Sequence, residues 1–171
     1  MDTNLLSLQK KNIHVHTYDP IIEDRNKSQL ADNQYDMIMM WHVLEHVPDI
    51  NETVISLKKK LKHNGALVVA VPNRDSFDSK AYREHWAAWD VPRHLYHFNH
   101  NSLENLMKEK GFTLISKHPL WLDSYYVSYL SSKYKKYIFP LINSLVIGSL
   151  SNILAIFTSK YSSSFYIFKR A

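Results

Sequence analysis

The chain has 171 residues, 45% of them apolar, which is enough for one domain with a buried core and argues against disorder. Its 21 Lys and Arg against 16 Asp and Glu give a net charge of +5, but no aromatic-basic motif accompanies this charge, so we expect no nucleic-acid partner. The absence of cysteine excludes disulfides and thiolate metal ligands and suits a reducing cytoplasm.

The first part of the chain contains one predicted strand. Residues 4–11 have the pattern of a helix that ends at paired lysines, and residues 13–18 alternate apolar and polar side chains, which predicts a strand. Asp19 and Pro20 end this strand, because proline lacks a backbone donor and restricts the residue before it. Residues 23–33 are polar and predict a loop or a short helix.

A short apolar run at residues 36–40 predicts a strand that is buried on both faces, as in a parallel sheet covered by helices. Ligands bind just past the carboxyl ends of such strands. The polar and aromatic side chains at that position are Trp41, His42, Glu45 and His46. We call residues 41–46 the corner and expect a functional site there.

The corner also matches the zinc-protease pattern H-x-x-E-H, formed by His42, Glu45 and His46. That pattern requires both histidines one turn apart on a helix. Pro48 follows at once and a strand ends just before, so two full helical turns are not available. We therefore expect no metal at the corner.

A helix and a second buried strand follow. Asp49 or Asn51 can cap the helix, which we expect to end at Asn64 and a left-handed Gly65. The apolar stripe of this helix consists of Ile50, Val54, Leu57 and Leu61. Residues 66–71 are continuously apolar and predict the strand.

A long polar and aromatic stretch then covers residues 73–99, and a loop of this length is usually functional. It follows the second buried strand as the corner follows the first, so we expect the two segments at the same edge of the sheet. Trp86 and Trp89 are costly to leave in water, so they either fill the core or line a pocket. Three histidines recur at every third position, namely His94, His97 and His100. No predicted helix holds them as metal ligands, and one of them can serve as a base near neutral pH.

The remaining elements continue the alternation of helices and strands. Asn101 with Glu104 predicts the capped start of a helix that Gly111 ends, and residues 112–116 and 165–168 predict strands. Such an alternating order favours a parallel, right-handed α/β sheet.

Residues 137–157 are mostly apolar and are long enough for a membrane span, which needs about 20 such residues. Pro140, Asn143 and Asn152 lie inside this segment and weaken that interpretation. The alternatives are a pair of helices packed on the sheet and an element that lies on a membrane surface.

Four segments in a fixed order carry a resemblance to a known family. They are WHVLEHVPD at 41–49, LKHNGALVVAVPN at 61–73, WAAWDVPRHLYHF at 86–98 and KGF at 110–112. Through these segments, residues 4–118 resemble the back part of class I S-adenosylmethionine-dependent methyltransferases, and in particular the ubiquinone-methyltransferase-like bacterial branch.

The resemblance implies a partial Rossmann-like α/β fold. The family's sheet has seven strands in the order 3-2-1-4-5-7-6, and the five strands predicted here correspond to strands 3, 4, 5, 6 and 7. It implies that residues 1–171 form a single truncated domain without the family's glycine-rich first third, with a helical insert at residues 119–160. A partner chain could complete such a sheet.

The resemblance also implies methyl transfer from S-adenosylmethionine to a small-molecule acceptor. Binding of this cofactor is expected to be impaired by the missing glycine-rich loop. The residues implied at the cofactor are Asp19, Trp41, His42 and Glu45. Those implied at the acceptor are Trp86, Trp89, Asp90, Arg93 and His97. His94 is the first candidate for the catalytic base, and His42 is the second.

Two alternatives to catalysis remain open at this point. The chain could be a non-catalytic scaffold or assembly module derived from a methyltransferase, or it could associate with a membrane through residues 137–157. We expect a cytoplasmic protein that is peripheral to the membrane if the second alternative holds.

Overall fold

The structure, a computed structural model, describes residues 14–17 and 31–171 of the chain. The helix predicted at 4–11, Asp19 and most of the stretch 23–33 lie outside the described residues. Residues 32–171 form one compact unit, which contains every element discussed below.

The strand predicted at residues 13–18 is not present over the four of its residues that the structure describes. Residues 14–17 have no regular secondary structure, and all four are exposed. The ends of the predicted strand, Ile13 and Tyr18, lie outside the described part. Alternation of polar and apolar side chains marks a chain that can form a strand, but a strand also requires hydrogen bonds to a neighbour.

Four strands form the sheet of the larger unit, and they confirm the four strands predicted after residue 31. They are β1 (Tyr35–Trp41), β2 (Leu61–Pro72), β3 (Phe112–Pro119) and β4 (Ser163–Arg170). Their spatial order is β1-β2-β4-β3. This order reproduces the 4-5-7-6 half of the sheet that the family resemblance implies.

The prediction of a wholly parallel sheet is wrong for β4. β1 and β2 are parallel, whereas β4 is antiparallel to both β2 and β3. The reason is that β3 ends and β4 begins at the same end of the sheet, because Pro119 pairs with Ser164. A strand that starts where its neighbour ends must run in the opposite direction.

The helix between β1 and β2, α1 (Ile50–Lys60), starts as predicted and ends earlier. The Asp49 side chain accepts a hydrogen bond from the backbone N–H of Glu52 at 2.9 Å and so caps the helix. The apolar stripe is confirmed for Ile50 and Val54, which are buried, and for Leu57, which packs against the core, whereas Leu61 lies in β2 and not on the helix.

The prediction that α1 ends at a left-handed Gly65 is wrong. The helix ends at Lys60, and Leu61 is already extended. Gly65 lies inside β2, where an added Cβ would stand 3.0 Å from the backbone oxygens of Tyr35 and Lys62. Gly65 is therefore required by the close approach of β1 and not by a positive φ.

The long stretch after β2 is partly helical. It contains α2 (Phe77–Tyr82) and two short 3-10 turns, Arg83–His85 and Ala87–Trp89. We call residues 86–98, which include the second turn, the flap.

Helix α3 (His100–Glu109) follows the flap and begins two residues earlier than predicted. Asn99, not Asn101, is the cap: its side chain accepts from the N–H of Ser102 at 2.8 Å, while the Ser102 hydroxyl accepts from the N–H of Asn99. Gly111, with φ of 75°, ends this helix as predicted.

Two further helices, α4 (Asp123–Tyr134) and α5 (Pro140–Thr158), lie between β3 and β4 and pack against each other. Within the described part of the chain, α5 alone is long and apolar enough to cross a bilayer, although length and composition are the only basis for that statement.

The main core lies between the sheet and helices α1 and α3. Its fully buried members include Leu44, Leu67, Val69, Leu103, Met107 and Phe168. A second, smaller cluster joins the flap to α2 and α4 through Tyr82, Trp86, Ala88 and Val127. These two clusters fix the positions of the corner and the flap.

Candidate functional site

The corner begins where β1 ends. Trp41, the last residue of β1, is 45% exposed, and its ring lies 5.8 Å from the ring of Phe165 on β4. His42 has a left-handed backbone with φ of 52°, and its N–H donates to the Ala70 carbonyl at 3.0 Å. The positive φ turns the chain out of the sheet and directs it into a 3-10 turn, Leu44–His46. The end of β1 therefore presents an aromatic ring and an imidazole side by side.

His42 is held between two carboxylates. Its Nδ1 lies 3.3 Å from Oε1 of Glu45, and its Nε2 lies 3.1 Å from Oδ2 of Asp123. Burial alone would lower the pKa of His42, but the hydrogen bonds to Asp123 and Glu45 outweigh it and raise the pKa to about 9. At neutral pH the His42 ring is therefore a positively charged group that donates from both nitrogens.

Glu45 joins the corner to the flap. Its side chain is only 1% exposed, and its backbone oxygen accepts hydrogen bonds from the N–H groups of Leu95 at 2.8 Å and Tyr96 at 3.2 Å. Oε2 of Glu45 is buried and has no hydrogen-bond partner among the described residues. A buried carboxylate oxygen without a partner is costly, so this position differs from ordinary core.

The histidines of the two segments are in contact. Nδ1 of His46 donates to the backbone oxygen of Arg93 at 3.0 Å, and the rings of His46 and His94 are 4.6 Å apart in an edge-to-face arrangement. The structure thus brings together the two segments that the sequence analysis placed at one edge of the sheet. Both lie at the carboxyl ends of β1 and β2, where α/β sheets bind ligands.

His94 differs from His42 in its protonation. Burial lowers the pKa of His94, so the ring is neutral at physiological pH. Nδ1 donates to the Ala88 carbonyl at 2.8 Å, which leaves the lone pair on Nε2. Nε2 lies 3.8 Å from Asp90 and 4.0 Å from Glu45. A neutral imidazole with an oriented Nε2 lone pair can accept a proton.

The other flap residues form a local hydrogen-bonded framework. Nε1 of Trp89 donates to the Arg83 carbonyl at 2.7 Å, and the carbonyl of Trp89 contacts His97 Nε2 at 2.7 Å. The exposed Arg93 guanidinium pairs with Asp90 Oδ1 at 2.7 Å. Their predicted roles in acceptor binding stay predictions.

Trp86 fills the core, which was one of the two alternatives for the flap tryptophans. It is 2% exposed, and its Nε1 donates to the buried Asp78 at 2.7 Å. A narrow crevice lies between the flap and the end of β2, and His94 and His97 help to line it. It has no room for even a water molecule, whereas pockets that enclose small molecules have volumes of roughly 300–1,000 Å³.

One group in the site has the composition of a metal centre. Glu45, His46 and His94 each offer a ligand atom, and these atoms lie within 4.8 Å of one another. Both histidines use Nδ1 to donate to backbone carbonyls, which is how ligand imidazoles are usually oriented. These residues could hold a divalent cation, so the expectation of no metal stays a prediction.

Sequence reasoning missed Asp123, the second partner of His42. It lies at the start of α4, 81 residues away along the chain. One signal was present, because Asp123 is the last acidic residue in the sequence and the only one after Glu109. Sequence reasoning also missed the contact between His46 and His94, for which no local pattern exists.

Comparison with known proteins identifies the family and the fold of this chain. The sequence family described as a methyltransferase domain matches residues 2–117. The ubiquinone biosynthesis O-methyltransferase of Rickettsia bellii (strain OSU 85-389) is 32% identical over 82 residues, which are 48% of this chain. The matched segment spans 31% of that relative's length.

Two solved structures share the fold. One is a SAM-dependent methyltransferase of Thermotoga maritima, described as a possible histamine N-methyltransferase, with a TM-score of 0.57 and 15% identity over 98% of this chain and 69% of that one. The other is a SAM-dependent methyltransferase of Archaeoglobus fulgidus, with a TM-score of 0.50 and 16% identity over 99% of this chain and 73% of that one. At such identities these structures support the fold alone.

The half-sheet and the site at its carboxyl edge define a Rossmann-like α/β chain. The family match covers more than half of its length. The chain therefore belongs to the class I S-adenosylmethionine-dependent methyltransferase family.

Proposed function

We propose that this chain takes part in methyl transfer from S-adenosylmethionine to the oxygen of a small-molecule acceptor. The observation that supports this most is the contact between the corner and the flap, in which a fixed cation, His42, and a neutral base, His94, occupy one edge of the sheet. The relative named for O-methylation in ubiquinone biosynthesis supports a hydroxyl group as the methyl-accepting atom.

The residues of the corner fit part of the cofactor. The Trp41 ring is large, 45% exposed and fixed at the end of a strand, so it offers a flat apolar surface on which a purine can stack. His42 lies beside Trp41 as a positively charged ring whose two N–H groups already bond Glu45 and Asp123, so it acts through its charge and not as a free donor. Glu45 is buried behind His42 and acts on the cofactor only through that ring. Asp19 lies outside the described residues, and its predicted contact stays a prediction.

When bound, the cofactor supplies a sulfonium methyl group that is already activated for displacement. The chain's residues then have to position the acceptor and remove its proton. Nε2 of His94 would accept the proton of the acceptor hydroxyl, while the methyl group passes to the acceptor oxygen and the sulfur leaves as a neutral thioether. Nδ1 keeps the ring oriented by donating to the Ala88 carbonyl at 2.8 Å.

His42 has a different role in this proposal from the second base that the sequence suggested. A group with a pKa of about 9 is protonated at neutral pH and has no lone pair to accept a proton. We assign to His42 the role of a fixed positive charge, held by Asp123 and Glu45.

Calorimetric titration of the whole chain with S-adenosylmethionine tests the proposal. Trp41 and Trp121 are both 45% exposed, so Trp41→Ala and Trp121→Ala remove the same ring at matched exposure. We expect binding that Trp41→Ala weakens at least tenfold and that Trp121→Ala changes less than twofold. An absence of binding heat at millimolar cofactor, or equal effects of the two variants, would contradict the proposal.

Transfer of a labelled methyl group to catechol, a small dihydroxy acceptor, tests the chemistry separately. We expect methylated catechol from the wild-type chain and a loss of about 10²–10⁴-fold in rate for His94→Gln, which removes the base but keeps a polar side chain. If the chain binds the cofactor and His94→Gln transfers methyl groups as fast as the wild type, His94 is not the base.

A further inference from the structure

Helix α5 has an orientation that is unusual for a helix of a soluble domain. Its buried face consists of small and polar residues, namely Ser144, Gly148, Ser151, Asn152 and Ala155. Its exposed face is apolar, and several of its leucine, isoleucine and phenylalanine side chains are more than half exposed. Amphipathic helices normally bury the apolar face and expose the polar one.

Specific contacts hold the polar face against the domain. The Ser151 hydroxyl donates to the fully buried carboxylate of Asp78 at 2.7 Å, and the Asn152 amide donates to the Trp121 carbonyl at 3.0 Å. At Gly148 an added Cβ would lie 2.7 Å from the ring of Tyr125 on α4, so the two helices meet there at close range. The orientation of α5 is therefore set by its own hydrogen bonds and packing.

The exposed apolar face runs along the whole helix. α5 is about 28 Å long at 1.5 Å per residue. The most exposed apolar side chains on it have exposures between 52% and 81%, and they are Leu141, Ile142, Leu145, Val146, Ile153, Ile156 and Phe157. Contiguous apolar surface of this extent marks an interaction site for a protein or a membrane.

The charges around α5 indicate which of these partners fits. The chain contains no Asp or Glu after Asp123, whereas six Lys and Arg follow it. Lys133 and Lys136 precede α5, and Lys160 follows it, so positive charge flanks both ends of the apolar face, and all three side chains are exposed. An apolar surface bordered by lysines is complementary to a bilayer that carries anionic headgroups.

Aromatic residues stand at the same two ends. Tyr137 and Phe139 come just before α5 and are 39% and 63% exposed, and Phe157 near its other end is 81% exposed. Aromatic rings are enriched at the boundary between headgroups and acyl chains. Exposed lysines and aromatic rings at both ends of the apolar face therefore suit contact with that boundary.

We propose that α5 docks this domain on the surface of an anionic phospholipid bilayer, with its apolar face inserted and its flanking lysines at the headgroups. The helix lies on the membrane and does not cross it, because its opposite face is fixed to Asp78 and Trp121 within the domain. This inference goes beyond the proposed chemistry, and it does not depend on catalysis.

Co-sedimentation of the whole chain with vesicles tests the proposal directly. Two vesicle compositions are compared at moderate salt, phosphatidylcholine alone and phosphatidylcholine with 30% phosphatidylserine. We expect the chain to bind the anionic vesicles at least tenfold more tightly than the neutral ones, and binding to fall as salt rises. Alkaline carbonate should release the bound chain, because a surface helix is extractable and a spanning helix is not.

Paired variants separate the apolar and the charged contributions. Ile142→Gln with Ile153→Gln removes two exposed isoleucines from α5, and Ile55→Gln with Ile115→Gln removes two isoleucines of similar exposure elsewhere. We expect the first pair to weaken vesicle binding at least tenfold and the second to change it less than twofold.

The charge variants follow the same design. Lys133→Gln with Lys136→Gln removes two exposed lysines beside α5, and Lys59→Gln with Lys108→Gln removes two exposed lysines on α1 and α3. Only the first pair should reduce binding to anionic vesicles. Circular dichroism confirms that each variant is folded before it is compared.

Four outcomes would overturn the proposal. The first is an absence of binding to anionic vesicles by the folded wild-type chain. The second is equal binding by the α5 variants and their controls. The third is concentration-dependent self-association that the Ile142→Gln and Ile153→Gln pair abolishes, without lipid binding, because the apolar face would then join two copies of this chain. Resistance to alkaline carbonate would favour a spanning helix and would equally contradict surface docking.

Discussion

Two buried carboxylates, Asp78 and Glu45, occupy similar environments and are bonded very differently. Asp78 on α2 is 0% exposed and Glu45 in the corner is 1% exposed. Asp78 accepts three short hydrogen bonds at 2.7 Å, from Ser151 at Oδ1 and from Trp86 and Ser162 at Oδ2. Glu45 contacts His42 at 3.3 Å through Oε1, and its Oε2 has no partner in the described part of the chain.

The difference distinguishes a carboxylate that stabilises the fold, Asp78, from one that belongs to the candidate site, Glu45. A buried charge whose oxygens are all bonded rigidifies the elements around it, and Asp78 joins α2, the flap, α5 and the segment before β4. A buried charge with an unbonded oxygen is retained at a cost, which other residues of the fold offset. The Glu45 position is therefore where ligand chemistry is expected, and the Asp78 position is where stability is expected.

The largest effect should follow from Asp78→Asn. The amide nitrogen would face donors that need an acceptor, and removal of the charge weakens the bonds that remain. We expect the free energy of unfolding to fall by about 2–4 kcal/mol. Urea denaturation followed by tryptophan fluorescence measures this change.

Asp32→Asn is the control for that measurement. The Asp32 carboxylate is exposed, and its ion pair with Nζ of Lys60 is long, at 4.0 Å. Surface pairs of this kind contribute little. If the Asp78→Asn and Asp32→Asn variants had the same free energy of unfolding, Asp78 would not have the structural role assigned to it.

A smaller effect should appear in the pH dependence of stability. The pKa of His42 is about 9 in the folded protein and 6.5 in an ordinary histidine, so the folded state binds the proton more tightly. This contribution is present in full below pH 6.5 and is lost as the pH rises from 6.5 to 9. Solvent screens the partly exposed ring, so we expect roughly 1–2 kcal/mol.

Asp123→Asn should remove most of this pH dependence, since Asp123 is the stronger of the two partners that raise the pKa of His42. The pKa of His42, followed by NMR of its ring protons, should then fall toward or below 6.5, because burial is no longer outweighed. Glu52→Gln, at an exposed residue on α1, should leave the titration unchanged. A His42 titration that Asp123→Asn does not move would show that the pair does not form.

The smallest effect on stability should come from Glu45→Gln, the counterpart of Asp78→Asn. Its Oε2 has no bond to lose, and neutralising the side chain removes the cost of a buried charge. We expect the free energy of unfolding to change by less than about 1 kcal/mol, while the pKa of His42 falls. The same urea experiment measures it, and a loss as large as that of Asp78→Asn would remove the distinction between the two carboxylates.

The sequence was sufficient for the elements that depend on local patterns. The apolar runs at 36–40 and 66–71 predicted the strands β1 and β2, and residues 67–71 of β2 are buried as expected. The prediction that both faces are buried is wrong for β1, because Met37 and Met39 on one face are 56% and 57% exposed. The order of motifs also predicted that the corner and the flap lie at one edge of the sheet. These features follow from a few adjacent residues each.

The errors arose where a local signal had two physical explanations. Gly65 looked like a helix end, but a glycine also permits close backbone approach, and here Tyr35 requires it. Asn101 and Asn99 are both good caps, and the reciprocal bond with Ser102 decides for Asn99. The pairing of His42 with Asp123 depends on the packing of α4, which no pattern near either residue encodes.

The most direct test of the central claim, that the corner and the flap form one site, is an NMR titration with S-adenosylhomocysteine. The ring signals of His42 and His94 should move together and give the same dissociation constant. The signal of His63, an exposed residue at the amino end of β2, should not move. If His42 and His94 gave different constants, or if His63 moved while they did not, the corner and the flap would not share a ligand and the account would be wrong.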